Sequence, residues 1–362
     1  MASKVLIAGA SGVVGSATID AFAGAGWDVV AVSRRTPDLR PSGSVRHISL
    51  DLSDSAACER LAELEGVSHV VFAAVSESPG LIDGWFDPVQ MKRNLCLLEN
   101  CIEPLITGQA PLRHVSIMQG TKAYGLHIHP LEIPARERSP RDPHENFYWL
   151  QEDYIKDRSR DCRFDYTIMR PPMVMGGAYG AVMNVATVLG IYAAICREEG
   201  RLFSFPGGPS YVTEALDARL LGDALVWAAR APQARGQHFN ITNGDVFEWR
   251  SVWPAIADAL GVKVGPDLPQ SLAQLLPSKA DVWDEIVRKH NLRPIGITAL
   301  LGESHFVTDF LFAHGLESTP PPAFISTVKL RKAGFTAVCD TEDMFRYWLS
   351  SFIDRRIIPA RG

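Results

Sequence analysis

The fold is decided by the stretch Lys4-Val5-Leu6-Ile7-Ala8-Gly9-Ala10-Ser11-Gly12-Val13-Val14-Gly15. An apolar run typical of a buried strand leads into a turn with three glycines, and a helical pattern follows the turn. Gly9 permits the tight turn, Gly12 lets backbone N–H groups approach a pyrophosphate, and Gly15 lets the helix pack close to the strand. The stretch therefore predicts a dinucleotide-binding strand–turn–helix unit, and the alternative is a purely structural turn.

Composition sets the class of protein. The chain has 362 residues, of which 46% are hydrophobic and 21% charged, and a formal net charge of −5. These values are typical of a globular protein and give no reason to expect nucleic acid or a membrane as a partner. No apolar run has transmembrane length, and a strand at the N-terminus leaves no room for a signal peptide. The six cysteines form no CxxC pair, so we expect reduced thiols, no metal site and a cytoplasmic location.

Strand-like and helix-like runs alternate through the first half of the chain, which predicts an α/β fold with a doubly wound parallel sheet. The expected strands are Lys4–Ala8, Asp28–Val32, Arg46–Leu50, His69–Ala73, Arg113–Ile117, Asp165–Met169 and Gln237–Thr242. The expected helices are Val13–Ala25, Ser55–Leu64, Val89–Cys101, Asn146–Arg160, Val182–Glu199 and Asp217–Ala231. We expect a Rossmann domain at 1–175 with a returning segment at about 217–245. A mostly helical substrate-binding cap is expected at 176–216 and 246–362.

The end of the second predicted strand indicates which cofactor binds. It reads Ser33-Arg34-Arg35, where Rossmann proteins selective for NAD usually carry an acidic residue. A guanidinium there would hold a ribose 2′-phosphate, so the pair favours NADPH, and a solvated basic pair is the alternative. Asp51-Leu52 follows the third strand, where Asp51 suits the adenine amino group or caps the next helix. Ala73-Ala74 follow the fourth strand and are small enough for the cofactor to pass.

The usual catalytic motif of short-chain dehydrogenases, Y-x-x-x-K, is absent. The fourth residue after Tyr148 is Glu152, and no other tyrosine is followed by a lysine at that spacing. Either catalysis has been lost or the lysine comes from another part of the chain.

Two further segments carry a family resemblance. The loop reads Ser116-Ile117-Met118-Gln119-Gly120-Thr121-Lys122-Ala123-Tyr124, and the helix reads Asn146-Phe147-Tyr148-Trp149-Leu150-Gln151-Glu152-Asp153. Together with Arg170-Pro171 and Asn243-Gly244-Asp245-Val246-Phe247-Glu248-Trp249, they resemble the progesterone 5β-reductase/iridoid synthase-like (PRISE) family, an atypical branch of extended short-chain dehydrogenases. That family carries its lysine on the loop and its tyrosine on the helix. The loop, Trp149 and the segment Ser76–Phe86, with Pro79, Gly80 and Gly84, depart from the plant pattern.

The resemblance implies an NADPH-dependent reductase of the C=C bond of apolar α,β-unsaturated carbonyl compounds. Tyr148 and Lys122 would be the catalytic pair, with the ammonium favouring a tyrosinate-like phenol that stabilises an oxyanion. The alternatives are a carbonyl reductase or sugar-nucleotide enzyme of the extended type, and a protein that only senses NADP(H). Whether the protein forms a homodimer stays open.

The predicted site therefore has two parts besides the catalytic pair, a cofactor-binding set and a substrate-binding set, and no metal. The expected cofactor-binding residues are Gly9, Ser11, Gly12, Val13, Val14, Gly15, Ser33, Arg34, Arg35, Asp51, Leu52, Ala73, Ala74, Ser116, Tyr148, Pro171 and Val174. The expected substrate-binding residues are Met118, Phe205, Tyr211, Phe306 and Phe310, although each cap aromatic could equally be core. His127 and His129 resemble a metal pair but have no third ligand nearby in sequence, so we expect them at the surface.

Overall fold

The structure is a computed structural model that describes residues 3–38, 45–78 and 83–361. The chain divides into two compact units. The first unit runs to Pro172 and also contains Ala218–Thr242 and Ile325–Ala337. The second unit contains Met173–Asp217, Asn243–Phe324 and the chain from Val338 onward. The segment Ile325–Ala337 is a second return to the first unit that the sequence did not indicate.

The described part of the chain contains strands of two to six residues. They are β1 (Lys4–Ala8), β2 (Asp28–Ser33), β3 (Val45–Ser49), β4 (Val67–Phe72), β5 (His114–Met118), β6 (Asp165–Arg170), β7 (Met173–Met175), β8 (Val212–Thr213), β9 (Ala215–Asp217), β10 (Gln237–Asn240) and β11 (Phe247–Glu248). A seven-stranded sheet in the first unit has the order β10-β6-β5-β4-β1-β2-β3, and its strand pairs are parallel.

The helices of the described residues fill the connections between strands and most of the second unit. They are α1 (Val13–Gly24), α2 (Ser55–Cys58), α3 (Pro88–Thr107), α4 (Phe147–Cys162), α5 (Val185–Glu198), α6 (Ala218–Arg230), α7 (Trp249–Leu260), α8 (Leu272–Leu275), α9 (Ala280–Lys289), α10 (Ile297–Leu301), α11 (Ser304–Leu311), α12 (Val328–Lys332) and α13 (Thr341–Asp354). Among them, none combines the length and apolar character needed to cross a bilayer.

The predicted fold class is confirmed, and the predicted strands lie within two residues of the observed ones. Parallel strands are buried on both faces, so they leave continuous apolar runs in the sequence, such as the fully buried Val5–Ala8 of β1. Three helices differ from the expectation by more than two residues, and one of them, α5, begins at Val185 rather than at Val182. The run Ser55–Leu64 divides into the short α2 and a 3₁₀ helix at Glu59–Glu63, and α3 continues six residues past Cys101, through Pro104.

The strand order determines where a ligand site forms in the first unit. The chain builds β2 and β3 on one side of β1, then crosses to place β4 on the other side. At such a switch point the loops after neighbouring strands diverge and leave a crevice at their carboxyl ends. The glycine turn follows β1 and Ala73-Ala74 follow β4, so both predicted cofactor segments lie at this crevice.

The second unit has an aromatic core of its own. The rings of Phe203 and Trp253 stack with centroids 4.3 Å apart, and Trp249 contacts Phe312 edge-on at 4.7 Å. Trp283 is fully buried in the same unit, and its indole N–H donates to the Ile295 carbonyl at 3.0 Å. These aromatic side chains therefore serve the packing of the unit.

Candidate active site

The glycine turn after β1 is a tight backbone crossing. Gly9 has φ of +80°, a conformation that L side chains rarely adopt. A Cβ atom at Gly9 would lie 2.6 Å from the carbonyl of Ala73 and from the nitrogen of Ala74. A Cβ atom at Gly15 would lie 2.2 Å from the Gly9 carbonyl oxygen. The first and third glycines therefore have the roles that the sequence predicted for them, a tight turn and close helix packing.

The N-terminus of α1 suits an anion such as the pyrophosphate of a dinucleotide. Its N-cap is Gly12, which supplies no side-chain hydrogen bond to the first turn, and that turn holds no acidic residue. Val13 and Val14 begin the helix and Ser11 precedes the cap, so the first backbone N–H groups are not satisfied by a capping side chain. The uncapped end of a 12-residue helix, preceded by a glycine without a side chain, fits the group that the fold implies.

Serine hydroxyls hold the backbone carbonyls of Arg34 and Arg35, the basic pair after β2. The Ser33 hydroxyl donates to the Arg35 carbonyl at 2.7 Å, and the Ser49 hydroxyl donates to the Arg34 carbonyl at 3.1 Å. Both arginine side chains are exposed, at the end of a strand next to β1. Fixed carbonyls and exposed guanidinium groups suit the recognition of a phosphate on the ribose.

Asp51 serves a turn rather than a helix. Its Oδ1 accepts hydrogen bonds from the Ser53 N–H at 2.9 Å and from the Ser53 hydroxyl at 2.8 Å. These bonds, helped by the charge of Arg34, hold the pKa of Asp51 below its ordinary value despite partial burial. The N-cap of α2 is Asp54, so the alternative that Asp51 caps this helix was wrong. Leu52 is buried in the core of the first unit.

Lys122 and Tyr148 lie close together in the first unit. Lys122 belongs to a 3₁₀ helix, Thr121–Tyr124, directly after β5, and Tyr148 is the second residue of α4. The lysine Nζ lies 5.8 Å from the centroid of the Tyr148 ring. A Cβ atom at Gly120 would lie 3.1 Å from the Tyr148 hydroxyl and 3.6 Å from the Pro171 carbonyl oxygen, so the hydroxyl lies just beyond the end of β5. The buried Ser116 and the partly buried Met118 belong to that strand.

The Lys122 ammonium is surrounded by aromatic rings. Its Nζ lies 4.1 Å from the ring centroid of Trp85 and 5.9 Å from that of Phe147. Burial lowers the pKa of Lys122 to about 8, although the nearby Glu77 carboxylate opposes this effect. Burial also raises the pKa of Glu77, against the lysine charge and the Trp85 indole. Lys122 therefore faces a carboxylate and an indole that the sequence had not connected with it.

The surroundings of Tyr148 act against the tyrosinate-like state expected from the sequence. Burial raises the pKa of Tyr148 well above its ordinary value, Glu77 raises it further, and Arg170 lowers it. A neutral phenol in a partly buried place is a hydrogen-bond donor, which is the form that stabilises an oxyanion.

Glu152 occupies the position where the Y-x-x-x-K motif has lysine. Its carboxylate accepts hydrogen bonds from Lys156 at 2.6 Å, Arg141 at 3.1 Å and Gln119 at 3.0 Å. The buried Arg170 lies 3.5 Å away and donates to the Gln119 side chain at 2.7 Å. Burial works to raise the pKa of Glu152, but the surrounding donors and cations outweigh it and lower the pKa strongly. Glu152 thus joins α4 to the ends of β5 and β6 and leaves no place there for a catalytic lysine.

The sequence analysis gave no role to four residues near the catalytic pair: Glu77, Trp85, Gln119 and Asn146. Two of them lie in Ser76–Phe86, which had been noted only for its departure from the plant pattern. Pro79 and Gly80 of that segment lie outside the described residues. Asn146 is the N-cap of α4 and accepts a hydrogen bond from the Tyr148 N–H at 3.0 Å. An asparagine at the start of a helical pattern is a recognisable cap signal, so this role could have been found.

The expected substrate residues of the second unit have different surroundings. Phe205 is 2% exposed and lies in the aromatic core, 5.2 Å from the Trp253 ring and 5.1 Å from the Phe312 ring. Tyr211 donates its hydroxyl to the Leu311 carbonyl at 2.5 Å. The α11 residues Phe306 and Phe310 are 47% and 68% exposed, which core residues would not be. Val174 is in β7, paired with Leu216 of β9.

The two histidines singled out in the sequence have carboxylate and ring partners. His129 is exposed and lies 2.6 Å from Asp142, whereas His127 is half-buried between aromatic rings. No group of three or more histidine, cysteine, aspartate or glutamate side chains in the described ranges is placed to hold a metal ion.

Comparison with known proteins identifies the family. Residues 5–242 match the model of the NAD dependent epimerase/dehydratase family, and the chain belongs to that family. It is 30% identical to an (S)-8-oxocitronellyl enol synthase of Catharanthus roseus, over 99% of this chain and 92% of the relative. A short chain dehydrogenase of Penicillium aethiopicum is 28% identical, over 99% of this chain and all (100%) of the relative. These relatives confirm the resemblance to the PRISE family.

Solved structures confirm the fold. UDP-glucose 4-epimerase of Thermotoga maritima superposes with a TM-score of 0.68 at 14% identity, covering 97% of this chain and 99% of that chain. The Thermus thermophilus UDP-glucose 4-epimerase complex with NAD has a TM-score of 0.65 at 17% identity, covering 96% and 98%. With the enol synthase relatives, the family makes this chain an NAD(P)-dependent oxidoreductase of the short-chain dehydrogenase/reductase type.

Proposed function

We propose that this oxidoreductase uses NADPH to reduce the C=C bond of small apolar α,β-unsaturated carbonyl compounds. The observation that carries the proposal is the arrangement of Tyr148 and Lys122 at the end of β5, without a Y-x-x-x-K motif. A neutral donor beside a buried ammonium suits an oxygen that becomes negative during the reaction.

The first unit's own residues support a preference for NADPH. The uncapped N-terminus of α1 and the space at Gly12 would hold the pyrophosphate, and Arg34 and Arg35 would hold the 2′-phosphate. When bound, the cofactor supplies the hydride that the reaction needs. The carboxylate of Asp51 would face the adenine amino group, with its Oδ1 already fixed by Ser53.

The two residues of the catalytic pair would have different roles. The Tyr148 hydroxyl would donate a hydrogen bond to the carbonyl oxygen of the substrate and strengthen that bond as an enolate forms. Lys122 would supply positive charge beside the phenol. The contact with Trp85 would set the position of the ammonium, and the Glu77 carboxylate would partly offset its charge. Because burial raises the pKa of Tyr148, its phenol is suited to act as a donor rather than as a base. As substrate contacts, Met118, Tyr211, Phe306 and Phe310 stay predictions, each on its own unit; Phe205, in the aromatic core, would act only by supporting the packing around it.

The names of the enol synthase relatives favour reduction at the C=C bond. An enol synthase by name forms an enol, and an enol or enolate is what results when hydride adds to the β-carbon of a conjugated carbonyl compound. Carbonyl reduction is the competing activity, and it would use the same oxyanion donor.

Steady-state assays with product identification test the proposal. NADPH and NADH oxidation is followed with a panel of enones, enals and their saturated counterparts. We expect turnover with the unsaturated compounds, preference for NADPH, and saturated carbonyl products. Allylic alcohols as products would assign the protein to the carbonyl reductases, and cofactor binding without turnover on the panel would favour a sensing role. The homodimer and the cytoplasmic location stay predictions, the first to be checked by light scattering.

A further inference from the structure

A chain of hydrogen bonds in the first unit connects an exposed histidine with the catalytic pair. His129 Nε2 lies 2.6 Å from one oxygen of Asp142, and the other oxygen lies 2.5 Å from Nδ1 of His144. The Nε2 atom of His144 lies 3.1 Å from the Asn146 side-chain nitrogen. Asn146 in turn bonds to the backbone of both catalytic residues.

The polarity of the backbone groups determines how the Asn146 amide is oriented. The Tyr148 N–H can only donate, so the atom 3.0 Å from it must be the amide oxygen. The carbonyl oxygen of Lys122 can only accept, so the atom 3.4 Å from it must be the amide nitrogen. The side chain of Asn146 therefore joins the start of α4 to the 3₁₀ helix of Lys122, in one orientation only.

That orientation determines the proton position on His144. The Asn146 nitrogen donates, so Nε2 of His144 must accept and carries no proton. The proton of His144 is then on Nδ1 and is donated to Asp142. His144 is accordingly neutral, in the Nδ1–H tautomer.

The partners of His129, in contrast to those of His144, require a proton on both ring nitrogens. Its Nδ1 lies 3.0 Å from the Pro130 carbonyl and its Nε2 faces Asp142, and both of these partners accept. Both ring nitrogens therefore donate and the ring is cationic, in accord with the hydrogen bonds to Pro130 and Asp142 that raise the pKa of His129. Burial works to raise the pKa of Asp142, but the two imidazoles outweigh it and lower the pKa.

We propose that His144 is a positioning residue whose neutral Nδ1–H tautomer holds Asn146 in the orientation that aligns Tyr148 with Lys122. This inference rests on the proposed roles of that pair. A second proton on His144 would place an N–H group against the Asn146 nitrogen, and the amide would have to rotate. Rotation would withdraw the oxygen from the Tyr148 N–H and the nitrogen from the Lys122 carbonyl.

Several charged or titratable groups surround His144. The His127 ring lies with its centroid 4.9 Å away, and burial lowers the pKa of His127 to about 4, so it is uncharged near neutral pH. Trp149 donates its indole N–H to the His144 carbonyl at 3.0 Å. The charged or titratable groups around the neighbouring rings of His127 and His144 are Asp142, His129 and Lys122.

Two variants test the inference through turnover. Asn146→Asp keeps a side-chain acceptor for the N-cap, because aspartate caps helices as well as asparagine, but it loses the amide donor. We expect kcat to fall about 10–100-fold while the NADPH dissociation constant and the thermal midpoint stay close to wild type. His144→Phe, which removes the imidazole acceptor of the Asn146 amide, should lower kcat in the same way. His290→Gln, which removes an exposed histidine of the second unit, should leave kcat at the wild-type value.

A measurement independent of turnover separates this inference from the proposed function. Long-range ¹H–¹⁵N correlation spectra of histidine-labelled protein distinguish the Nδ1–H tautomer from the Nε2–H tautomer and from imidazolium. We expect His144, assigned by His144→Phe, in the Nδ1–H form at neutral pH. An Nε2–H or cationic ring, a wild-type kcat in Asn146→Asp, or a wild-type kcat in His144→Phe would each overturn the inference. Absence of NADPH-dependent turnover in the wild type would instead refute the proposed function, and the spectrum would still decide the tautomer.

Discussion

At Tyr148 the proposed chemistry depends on one oxygen atom. Tyr148→Phe keeps the ring beside Phe147 and removes the hydroxyl that a substrate oxygen would need. We expect kcat on the best substrate to fall by about 10²–10³, the cost of one oxyanion donor, with the NADPH dissociation constant unchanged. Steady-state kinetics and a cofactor titration measure the two quantities.

A matched control lies on the same helix. Tyr154→Phe removes a hydroxyl that donates to Glu103 at 2.7 Å, away from the catalytic pair, and should leave kcat near wild type. Equal activity of Tyr148→Phe and wild type would show that the phenol does not take part in the reaction.

At Arg34 the expected effect is on cofactor choice. Its side chain is exposed and its backbone is fixed by Ser49, so replacement with alanine should leave the fold intact. We expect Arg34→Ala to weaken NADPH binding by about 1.5–3 kcal/mol, the range for a hydrogen bond to a charged group, and to leave NADH binding unchanged. Calorimetric titration of both cofactors checks this, with the exposed Arg60→Ala as the control. Equal affinity of the wild-type protein for the two cofactors would contradict the assignment.

Among the elements, the loop after β5 controls the position of the phenol. Gly120 has an extended backbone, with φ of −159°, which alanine also adopts, but its new Cβ atom would lie 3.1 Å from the Tyr148 hydroxyl. We expect Gly120→Ala to shift the hydroxyl and to lower kcat about 10–100-fold, because small misplacements of reacting groups are costly. The free energy of unfolding in urea should change little.

Gly24→Ala is the matched control, because it makes the same glycine-to-alanine change elsewhere in the first unit. A Cβ atom at Gly24, at the end of α1, would meet no atom within 4 Å. It should keep full turnover and stabilise the helix slightly. If Gly120→Ala also keeps full turnover, the contact between Gly120 and the phenol has no bearing on catalysis.

Elements with a local signal could be predicted from the sequence. The glycine turn and the apolar strands are local, and their close contacts at Gly9 and Gly15 follow from the spacing alone. The positions of Tyr148 and Lys122 came from the family resemblance. Their surroundings depend on distant parts of the chain: Glu77 and Trp85 reach Lys122 from a segment about 40 residues earlier, and only the fold brings them together. The pKa of Tyr148 could not be foreseen for the same reason.

At the scale of the whole molecule, the division of the chain was only partly visible in the sequence. The return of α6 and β10 to the sheet has a strand–helix signal, and it was expected. The return of Ile325–Ala337 has no such signal, because it is held by an isolated bridge between Ile325 and Ala135 and by side-chain bonds to backbone, not by a ladder of strand pairs. Asn240 donates to the Ser326 carbonyl at 3.2 Å, and Lys329 donates to the His238 carbonyl at 2.9 Å. Bonds of this kind have no period that a sequence could reveal.

The reaction type is a property of the whole enzyme, and isotopic labelling decides it. If the carbonyl oxygen binds at Tyr148, hydride added to the β-carbon sends an electron pair through the conjugated system to that oxygen. The resulting enolate then takes a proton at the α-carbon. With NADPH deuterated at the transferred position, we expect deuterium at the β-carbon of a saturated ketone or aldehyde. Mass spectrometry and NMR of the product locate it, and the saturated analogue should not consume NADPH. Deuterium at the carbonyl carbon of an allylic alcohol would make the protein a carbonyl reductase, with Tyr148 still the expected donor to the oxygen.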